Sequence, residues 1–312
     1  MSDPDEFEQI ARLYRPLTRG APEALDLLDD AAVVPSRPGM DLVLTKDALV
    51  EGVHFLAGTS PGLIARKLVR VNLSDLAAKA AEPYGYLLAT SWPASFGWPE
   101  RQAFAEGLRQ DGEAFGLTLL GGDTTSTPGP LTLSLTMLGW TPAGRMVRRA
   151  GARAGDLLMV SGTIGDGALG LAAARGDPPD PDGFLLARYT LPQPRLDLRD
   201  ALRARATAAC DVSDGLVADA GHIGRASGVA LAIDLDRLPL SPAAGRWLDA
   251  QPDRARALVR LATGGDDYEV VCTGPTPIAG LTVIGEARAG AGVEVRAGGR
   301  LTDPGPGGWR HR

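Results

Sequence analysis

The stretch DLVLTKD, residues 41–47, alternates apolar and polar residues and is therefore predicted to be a β-strand. Successive side chains of a strand point to opposite faces, so Asp41, Val43, Thr45 and Asp47 share one face. Residues 61–81 follow with apolar side chains at helical spacing, which predicts a helix. A strand that carries carboxylates and is followed by a helix indicates a domain that contains both kinds of element.

The mixture of strands and helices continues along the chain. Further strands are predicted at 86–92, 131–140, 156–161, 229–235, 268–273 and 281–287. Further helices are predicted at 99–115, at 196–208 and after Asp214. Around residues 141–155 the composition changes to Arg, Gly and Ala before a new strand, so we place a boundary there between two domains, 1–145 and 146–312. The predicted fold class is α/β, or α+β, with two domains.

The overall composition excludes two classes of protein. The chain of 312 residues has 32 Lys and Arg against 38 Asp and Glu, which gives a net charge of -6. A protein that grips a nucleic-acid backbone needs a basic surface, so we expect no nucleic-acid partner. No apolar run reaches the roughly 18 residues of a membrane-spanning helix, so we expect no membrane partner either.

The cysteines and the N-terminus predict a cytoplasmic location. Cys210 and Cys272 are the only thiols, and two isolated cysteines make neither a disulfide scaffold nor a zinc site. Residues 1–6 are acidic and no apolar stretch follows them, so they lack the pattern of a secretory signal.

Three motif matches are set aside. Residues 58–62 (GTSPG) fit the nucleophile-elbow pattern, but Pro61 favours an ordinary helix start. Residues 165–170 (GDGALG) fit the dinucleotide-binding pattern, but the acidic residue expected about 20 residues later is absent. None of the three lysines follows a Gly-rich loop, so there is no phosphate-binding P-loop.

The informative pattern is a set of acidic residues at strand ends or turns, each among small or apolar neighbours. These stretches are 29–32 (DDAA), 45–47 (TKD), 72–75 (NLSD), 121–125 (GGDTT) and 211–215 (DVSDG). A buried carboxylate is costly unless it finds a cation or a hydrogen-bond donor. Carboxylates without His or Cys companions suit Mg²⁺, which completes its coordination with water and substrate phosphates. The sequence therefore predicts several Mg²⁺ ions that bring two phosphorylated compounds together.

Seven stretches, in order over nearly the whole chain, resemble those of the thiamine-monophosphate kinases, in the superfamily that includes aminoimidazole ribonucleotide synthetase. They are 29–33 (DDAAV), 47–55 (DALVEGVHF), 71–78 (VNLSDLAA), 121–125 (GGDTT), 161–171 (SGTIGDGALGL), 211–216 (DVSDGL) and 264–269 (GGDDYE). The resemblance implies ATP-dependent phosphorylation of thiamine monophosphate to thiamine diphosphate, with Mg²⁺ bridging the substrates. It also implies an N-terminal mixed-sheet domain that pairs across a homodimer, and a C-terminal α/β domain that closes over the nucleotide.

The resemblance gives each matching residue a role. The implied metal ligands are Asp30, Thr45, Lys46, Asp47, Asp75, Asp123, Asp211 and Asp214. The implied ATP contacts are Gly122, Asp123, Arg149 and Ser213. The implied contacts to thiamine monophosphate are His54, Asp266 and Trp309. The first domain would then bind metal and nucleotide and form the dimer, and the second would complete the ATP and substrate sites.

The chemistry of the implied acceptor explains why no catalytic base is assigned. A phosphate is already an anionic nucleophile at neutral pH, and the barrier is charge repulsion, which metal ions and Arg side chains reduce. Lys46 is the least expected residue in the metal set, because a charged ammonium has no lone pair for a metal ion. Either Lys46 offers the metal its backbone carbonyl, which we favour, or its ammonium stands beside a substrate phosphate.

The chain departs from the family pattern at four places, and these leave alternatives open. Leu28 replaces a usual Gly, Lys46 a usual Thr or Ser, Asp266 a usual Glu, and the tail ends in Arg312. One alternative is another ATP-using enzyme of the superfamily. The selenophosphate synthetases, with a reactive Cys or selenocysteine near the N-terminus, and the hydrogenase-maturation member, with a terminal Cys, do not match. The alternative from another class is a non-catalytic nucleotide-binding relative, supported only by Lys46 and Asp266.

Overall fold

The structure is a computed structural model that describes residues 5–309. The start of the acidic N-terminal segment, residues 1–4, and the last three residues of the tail, Arg310 to Arg312, lie outside the described residues. The described residues up to Leu76, together with Ala81–Gly144, form an N-terminal unit. Ala77–Ala80 and the described residues from Arg145 onward form a C-terminal unit.

Nine α-helices and eleven strands are found among the described residues. The helices are α1 (Glu6–Gln9), α2 (Pro61–Ala78), α3 (Trp98–Phe115), α4 (Asp166–Ala174), α5 (Phe184–Thr190), α6 (Arg199–Arg205), α7 (Leu216–Ser227), α8 (Pro242–Asp249) and α9 (Arg254–Thr263). The strands are β1 (Met40–Val50), β2 (Glu82–Pro93), β3 (Thr118–Thr127), β4 (Thr132–Pro142), β5 (Leu157–Ser161), β6 (Ala208–Asp211), β7 (Ala230–Asp234), β8 (Val270–Gly274), β9 (Leu281–Arg288), β10 (Gly292–Ala297) and β11 (Arg300–Leu301). Short π or 3-10 segments occupy Ile10–Tyr14, Arg15–Thr18, Pro22–Leu27, Leu196–Leu198 and Leu235–Arg237.

The N-terminal unit is built on a four-stranded mixed sheet with the strand order β1-β4-β2-β3. β4 runs antiparallel to both β1 and β2, whereas β2 and β3 are parallel. One face of β1 carries buried Val43 and Leu49, and the opposite face carries Leu44, which is 60% exposed. The alternation that predicted β1 therefore separates a core face from an exposed face.

Helices α2 and α3 of the same unit approach closely at two glycines. A Cβ atom on Gly107 would lie 2.3 Å from the carbonyl oxygen of Gly62, so this contact excludes any larger residue. The neighbouring core includes the ring of Trp92, which meets Phe104 of α3 edge-on at 5.2 Å between centroids. This packing holds α2, and with it Asp75 near the helix end, in a fixed place.

The C-terminal unit is built on a seven-stranded mixed sheet with the order β11-β10-β7-β9-β5-β8-β6. Apolar residues cover both faces: Cys210 of β6 belongs to the cluster that includes α7, and Cys272 of β8 to a cluster with α6. The two thiols are free and face opposite sides of the sheet. Two units of mixed sheet and helices confirm the predicted fold class.

Several predicted bounds are wrong. Residues 196–208 do not form one helix: α6 ends at Arg205, and the buried strand β6 begins at Ala208. A short run of small apolar residues has no periodicity that separates a strand from a helix, so only its place beside β8 decides its structure. The elements that were not predicted are β3, β10, β11, α1, α5, α8 and α9. The strand expected from residue 268 begins at Val270, because the preceding segment has a left-handed backbone.

None of the helices within residues 5–309 combines the length and the apolar character that crossing a bilayer requires.

A buried ion pair joins α2 to α3. Asp111 of α3 is fully buried and accepts hydrogen bonds from Arg70 Nε at 2.7 Å and from Arg66 Nε at 2.9 Å. Arg70 is also nearly buried. Removing one partner of a buried pair leaves the other charge in a low-dielectric place, which is more costly than losing an exposed pair.

We predict that Asp111→Ala lowers the free energy of unfolding by about 3–5 kcal/mol, because it removes the buried carboxylate to which both Arg66 and Arg70 donate. Urea unfolding measures the change. The control is Glu113→Ala on the same helix, which removes an exposed ion pair with Arg109. Equal losses in the two variants would show that the buried pair adds nothing beyond a surface pair.

Candidate active site

A pair of carboxylates lies where β1 meets α2. Thr45 and Asp47 share one face of β1, as predicted, and the Thr45 hydroxyl donates a hydrogen bond to Asp75 of α2. Burial, followed by the charge of Asp75, raises the pKa of Asp47 to about 7. Two carboxylates that interact in a partly buried place repel each other when both are charged, and a nearby cation would relieve that repulsion.

Lys46 lies on the other face of β1. Its side chain is exposed, and its ammonium is 3.4 Å from the hydroxyl of Thr136, the residue opposite it on β4. The ammonium therefore lies across the sheet from Asp47. This placement separates the ammonium from Asp47, and the role of Lys46 at a metal ion stays a prediction.

A cavity of about 770 Å³ in the N-terminal unit brings together Asp30, Gly122 and Asp123. Its remaining wall is mostly apolar and includes Leu27, Leu87, Leu88, Leu119, Leu120 and Leu138. A concave apolar site with a few polar groups at one side is the usual form of a small-molecule pocket, and the volume is in the usual range.

Gly122 has a steric reason to be glycine. It pairs with Leu88 of the parallel neighbour β2, and a Cβ atom at this position would lie 1.9 Å from the Leu88 carbonyl oxygen. At Gly121 a Cβ atom would make only an ordinary contact at 3.4 Å. The second glycine of the GGDTT stretch thus lets β3 approach β2 so closely that Asp123 is carried to the cavity.

His54 lies in the turn that follows β1. Its Nδ1 accepts a hydrogen bond from the backbone N–H of Val50 at 3.0 Å, so the neutral ring carries its proton on Nε2. The buried Lys67 of α2 donates to the carbonyl oxygen of His54 at 3.1 Å. The turn and the ring tautomer are therefore both fixed, with Nε2 as the donor.

In the C-terminal unit, three segments distant in sequence are joined by backbone hydrogen bonds. The N–H of Asp266 donates to the carbonyl of Ser213 at 2.9 Å, and the N–H of Trp309 donates to that of Asp214 at 2.9 Å. The predicted ATP and metal residues of the DVSDG stretch therefore adjoin the two residues predicted to hold the acceptor. Trp309 is 58% exposed.

Asp219 is a residue of this site that the sequence did not reveal. Its carboxylate accepts three consecutive backbone N–H groups, those of Ser213, Asp214 and Gly215, each at 3.1 Å. Burial, followed by the charge of Asp214, raises the pKa of Asp219 to about 7. Its position five residues after Asp214, inside a helical pattern, gave no signal of this role.

The other predicted residues of this unit lie around the end of β6. Asp211 ends the strand and is buried. Burial first, and then the charges of Asp219 and Asp211, raise the pKa of the Cys210 thiol, while Lys79 and Arg149 oppose the rise. Ligand-type atoms of Asp214, Asp219 and His222 lie within 4.8 Å of one another. The charge of Arg149 acts on both Cys210 and Asp219, so Arg149 lies near the acidic residues at this strand end.

Not all of the predicted metal ligands come together. Within residues 5–309, no three His, Cys, Asp or Glu side chains of the N-terminal unit bring ligand atoms within 4.8 Å of one another. Asp47 and Asp75 form one pair, whereas Asp30 and Asp123 line the cavity. An arrangement in pairs suits Mg²⁺, which takes one or two carboxylates and fills its other positions with water and phosphate oxygens.

Comparisons with protein families cover most of the chain. Residues 28–141 match the model of the AIR synthase related protein, N-terminal domain. Residues 153–274 match that of the AIR synthase related protein, C-terminal domain. The two matches contain the strands and loops that carry the predicted residues, except Arg149 and Trp309.

Individual proteins with this fold are also similar in sequence. The thiamine-monophosphate kinase of Caulobacter vibrioides is 57% identical over 320 aligned residues, which cover 99% of this chain and 91% of that protein. A crystal structure of the thiamine-monophosphate kinase from Stenotrophomonas maltophilia K279a superposes with a TM-score of 0.80 at 37% identity, covering 94% of this chain and 97% of the other. The structure of AaThiL complexed with AMPPCP and TMP has a TM-score of 0.80 at 31% identity, covering 98% and 97%. With this identity over nearly its whole length, the chain belongs to the thiamine-monophosphate kinase family of the AIR synthase related proteins.

Proposed function

We propose that this protein transfers a phosphoryl group from ATP to thiamine monophosphate and so forms thiamine diphosphate. The observation that carries the proposal is the 57% identity to a thiamine-monophosphate kinase over 99% of the chain. A relative with 31% identity has been solved with AMPPCP and TMP bound together. The protein is accordingly a kinase whose acceptor is itself a phosphate group.

The donor chemistry of the carboxylates fits Mg²⁺. Asp47 and Asp75 offer oxygen ligands, and the raised pKa of Asp47 reflects burial beside a like charge, which a divalent cation would relieve. We assign Asp30, Thr45, Lys46 through its carbonyl, Asp47, Asp75 and Asp123 as metal ligands of the N-terminal unit. Asp211 and Asp214 are the ligands proposed in the C-terminal unit.

The cavity beside Asp30 and Asp123 supports a place for ATP. An adenine ring is flat and largely apolar on its faces, so the leucine-lined wall suits it, while the phosphates would lie toward the acidic side. Gly122 and Asp123 are the ATP contacts proposed in this unit. Arg149 and Ser213 are those proposed in the C-terminal unit.

The acceptor is proposed to be held by His54, Asp266 and Trp309. The Nε2–H of His54 is a donor suited to a phosphate oxygen, because Val50 already occupies Nδ1. Asp266 is a carboxylate suited to the amino or cationic groups of thiamine. Trp309 presents an exposed aromatic ring that can contact the thiamine rings.

The reaction needs charge compensation rather than proton removal. The acceptor oxygen is anionic at neutral pH, so no residue acts as a general base. When bound by these carboxylates, Mg²⁺ would supply positive charge that offsets the repulsion between phosphates. Arg149 adds a fixed cation near the C-terminal acidic residues, and His54 orients the acceptor phosphate by a directed hydrogen bond.

A homodimer and a cytoplasmic location belong to the same proposal. Leu44 of β1 lies on the exposed face of the N-terminal sheet and is 60% exposed, which supports this face as the dimer contact. The two free buried cysteines are typical of a reducing compartment.

The direct test of the activity is thiamine diphosphate formation by the purified protein with ATP, Mg²⁺ and thiamine monophosphate. We expect turnover, and we expect none of comparable rate with unphosphorylated thiamine, because the nucleophile is a phosphate oxygen. Comparable turnover of thiamine would contradict the mechanism. Nucleotide binding without turnover of either compound would favour the non-catalytic relative.

We predict that Asp47→Asn, Asp75→Asn and Asp123→Asn each nearly abolish turnover, because each removes a negative charge that binds Mg²⁺. Steady-state rates at saturating ATP measure the loss, and Asp41→Asn on the same strand is the control that keeps its rate. If a variant keeps more than about a tenth of the wild-type rate, a loss under ~1.4 kcal/mol, the replaced residue is not a primary ligand of Mg²⁺.

Lys46→Thr is predicted to be nearly neutral in rate and in Mg²⁺ dependence. The ammonium lies across β1 from Asp47 and 3.4 Å from Thr136, so its removal leaves the carbonyl in place. Kinetic titration with Mg²⁺ measures both quantities. A hundredfold loss, about 2.7 kcal/mol, would instead place the ammonium at a substrate phosphate.

A further inference from the structure

The segment that carries Asp266 has an unusual backbone. Asp266 and Tyr268 both lie in the left-handed region, with φ of +67° and +52°. This region is uncommon for residues other than glycine and is disfavoured for a bulky residue such as Tyr. Such backbone persists only where the surroundings enforce it, and it concentrates at functional sites.

The enforcing residues alternate with the strained ones. Asp267 and Glu269 are 1% and 0% exposed, whereas Asp266 and Tyr268 are half-buried. The sequence GGDDYE therefore sends two acidic side chains into the interior of the unit. Both find partners there, as buried carboxylates must.

Asp267 binds the turn before α4. Its Oδ2 accepts the N–H of Gly165 at 2.8 Å, and its Oδ1 accepts the N–H of Gly167 at 3.0 Å. A Cβ atom on Gly167 would lie 2.2 Å from the Asp266 carbonyl oxygen, so the turn and the segment are in direct contact. The GDGALG stretch, which resembled a dinucleotide-binding loop, is thus occupied by a side chain of the protein itself.

Glu269 binds two arginines and a serine. It accepts hydrogen bonds from Arg188 at 2.8 Å, from Arg195 Nε at 2.6 Å and from the Ser161 hydroxyl at 2.6 Å. Arg188 also donates to the carbonyl oxygen of Asp267 at 3.2 Å. The carboxylate is therefore tied to β5, to α5 and to the segment before α6.

We propose that Asp267 and Glu269 are positioning residues of the acceptor site, which hold the 266–268 segment in its left-handed conformation and so orient Asp266 toward thiamine monophosphate. The inference rests on the proposed function for the identity of the acceptor. The N–H of Asp266 and that of Tyr268 donate to Ser213 and Val212, at 2.9 and 2.8 Å. The enforced backbone therefore also sets the distance between Asp266 and the DVSDG stretch.

The test measures two variants, Asp267→Asn and Glu269→Gln, against the wild-type protein. Each keeps the shape of the side chain but places an amide donor against backbone N–H or guanidinium donors. KM for thiamine monophosphate is expected to rise at least about tenfold, ~1.4 kcal/mol, while KM for ATP stays within about twofold. Asp156→Asn is the control. Asp156 is a buried carboxylate of the same unit that accepts from Arg153 N–H and Thr207, far in sequence from this segment.

Amide hydrogen exchange gives a readout that does not depend on turnover. Protection of the Asp266 and Tyr268 amides is expected to fall in Asp267→Asn and Glu269→Gln and to stay at the wild-type level in Asp156→Asn. An unchanged KM for thiamine monophosphate in both variants, or the same rise in Asp156→Asn, overturns the proposal. If the wild-type protein does not phosphorylate thiamine monophosphate, the proposed function fails, and the exchange measurement alone decides whether the two carboxylates fix the segment.

Discussion

The repulsion between two carboxylates, Asp47 on β1 and Asp75 on α2, is the constraint around which the N-terminal unit is arranged. Neither side chain would stay beside the other if β1 and α2 could separate. The buried residues Val43 and Leu49 of β1 and the close packing of α2 on α3 hold the two elements in place. Apolar burial thus stabilises a charge arrangement that is unfavourable without a cation. Burial first, and then the charge of Asp75, raises the pKa of Asp47 to about 7.

In the C-terminal unit, buried carboxylates are stabilised by backbone N–H groups and by buried ion pairs. Asp219 gathers three N–H groups of the DVSDG stretch, and Asp267 gathers two from the turn before α4. Each carboxylate accepts hydrogen bonds from several backbone N–H donors that would otherwise need water. Loops that carry ligand-binding side chains are usually mobile, and here internal carboxylates make them part of the folded core.

The periodicity of apolar residues predicted several strands and helices correctly. It could not predict the elements and side-chain roles that depend on contacts between residues distant in sequence. Alternation located β1 and placed Lys46 opposite Asp47, and helical spacing located α2. β3 was missed because its GGDTT stretch has the composition of a turn; the parallel neighbour β2, with Gly122 against Leu88, makes it a strand. Asp219, Asp267 and Glu269 were missed as functional residues because burial, not spacing, distinguishes them from surface acids. The metal and substrate roles came from matched motifs rather than from geometry.

The central claim is that the Asp47–Asp75 pair is assembled for a divalent cation. An NMR titration of the Asp47 carboxyl carbon, assigned by comparison with Asp47→Asn, measures its pKa directly. In the metal-free protein we expect the pKa at about 7, and on saturation with Mg²⁺ and AMPPCP we expect it to fall below its ordinary value of 3.8. An ordinary pKa in the metal-free protein, or a raised pKa that Mg²⁺ leaves unchanged, would contradict this account.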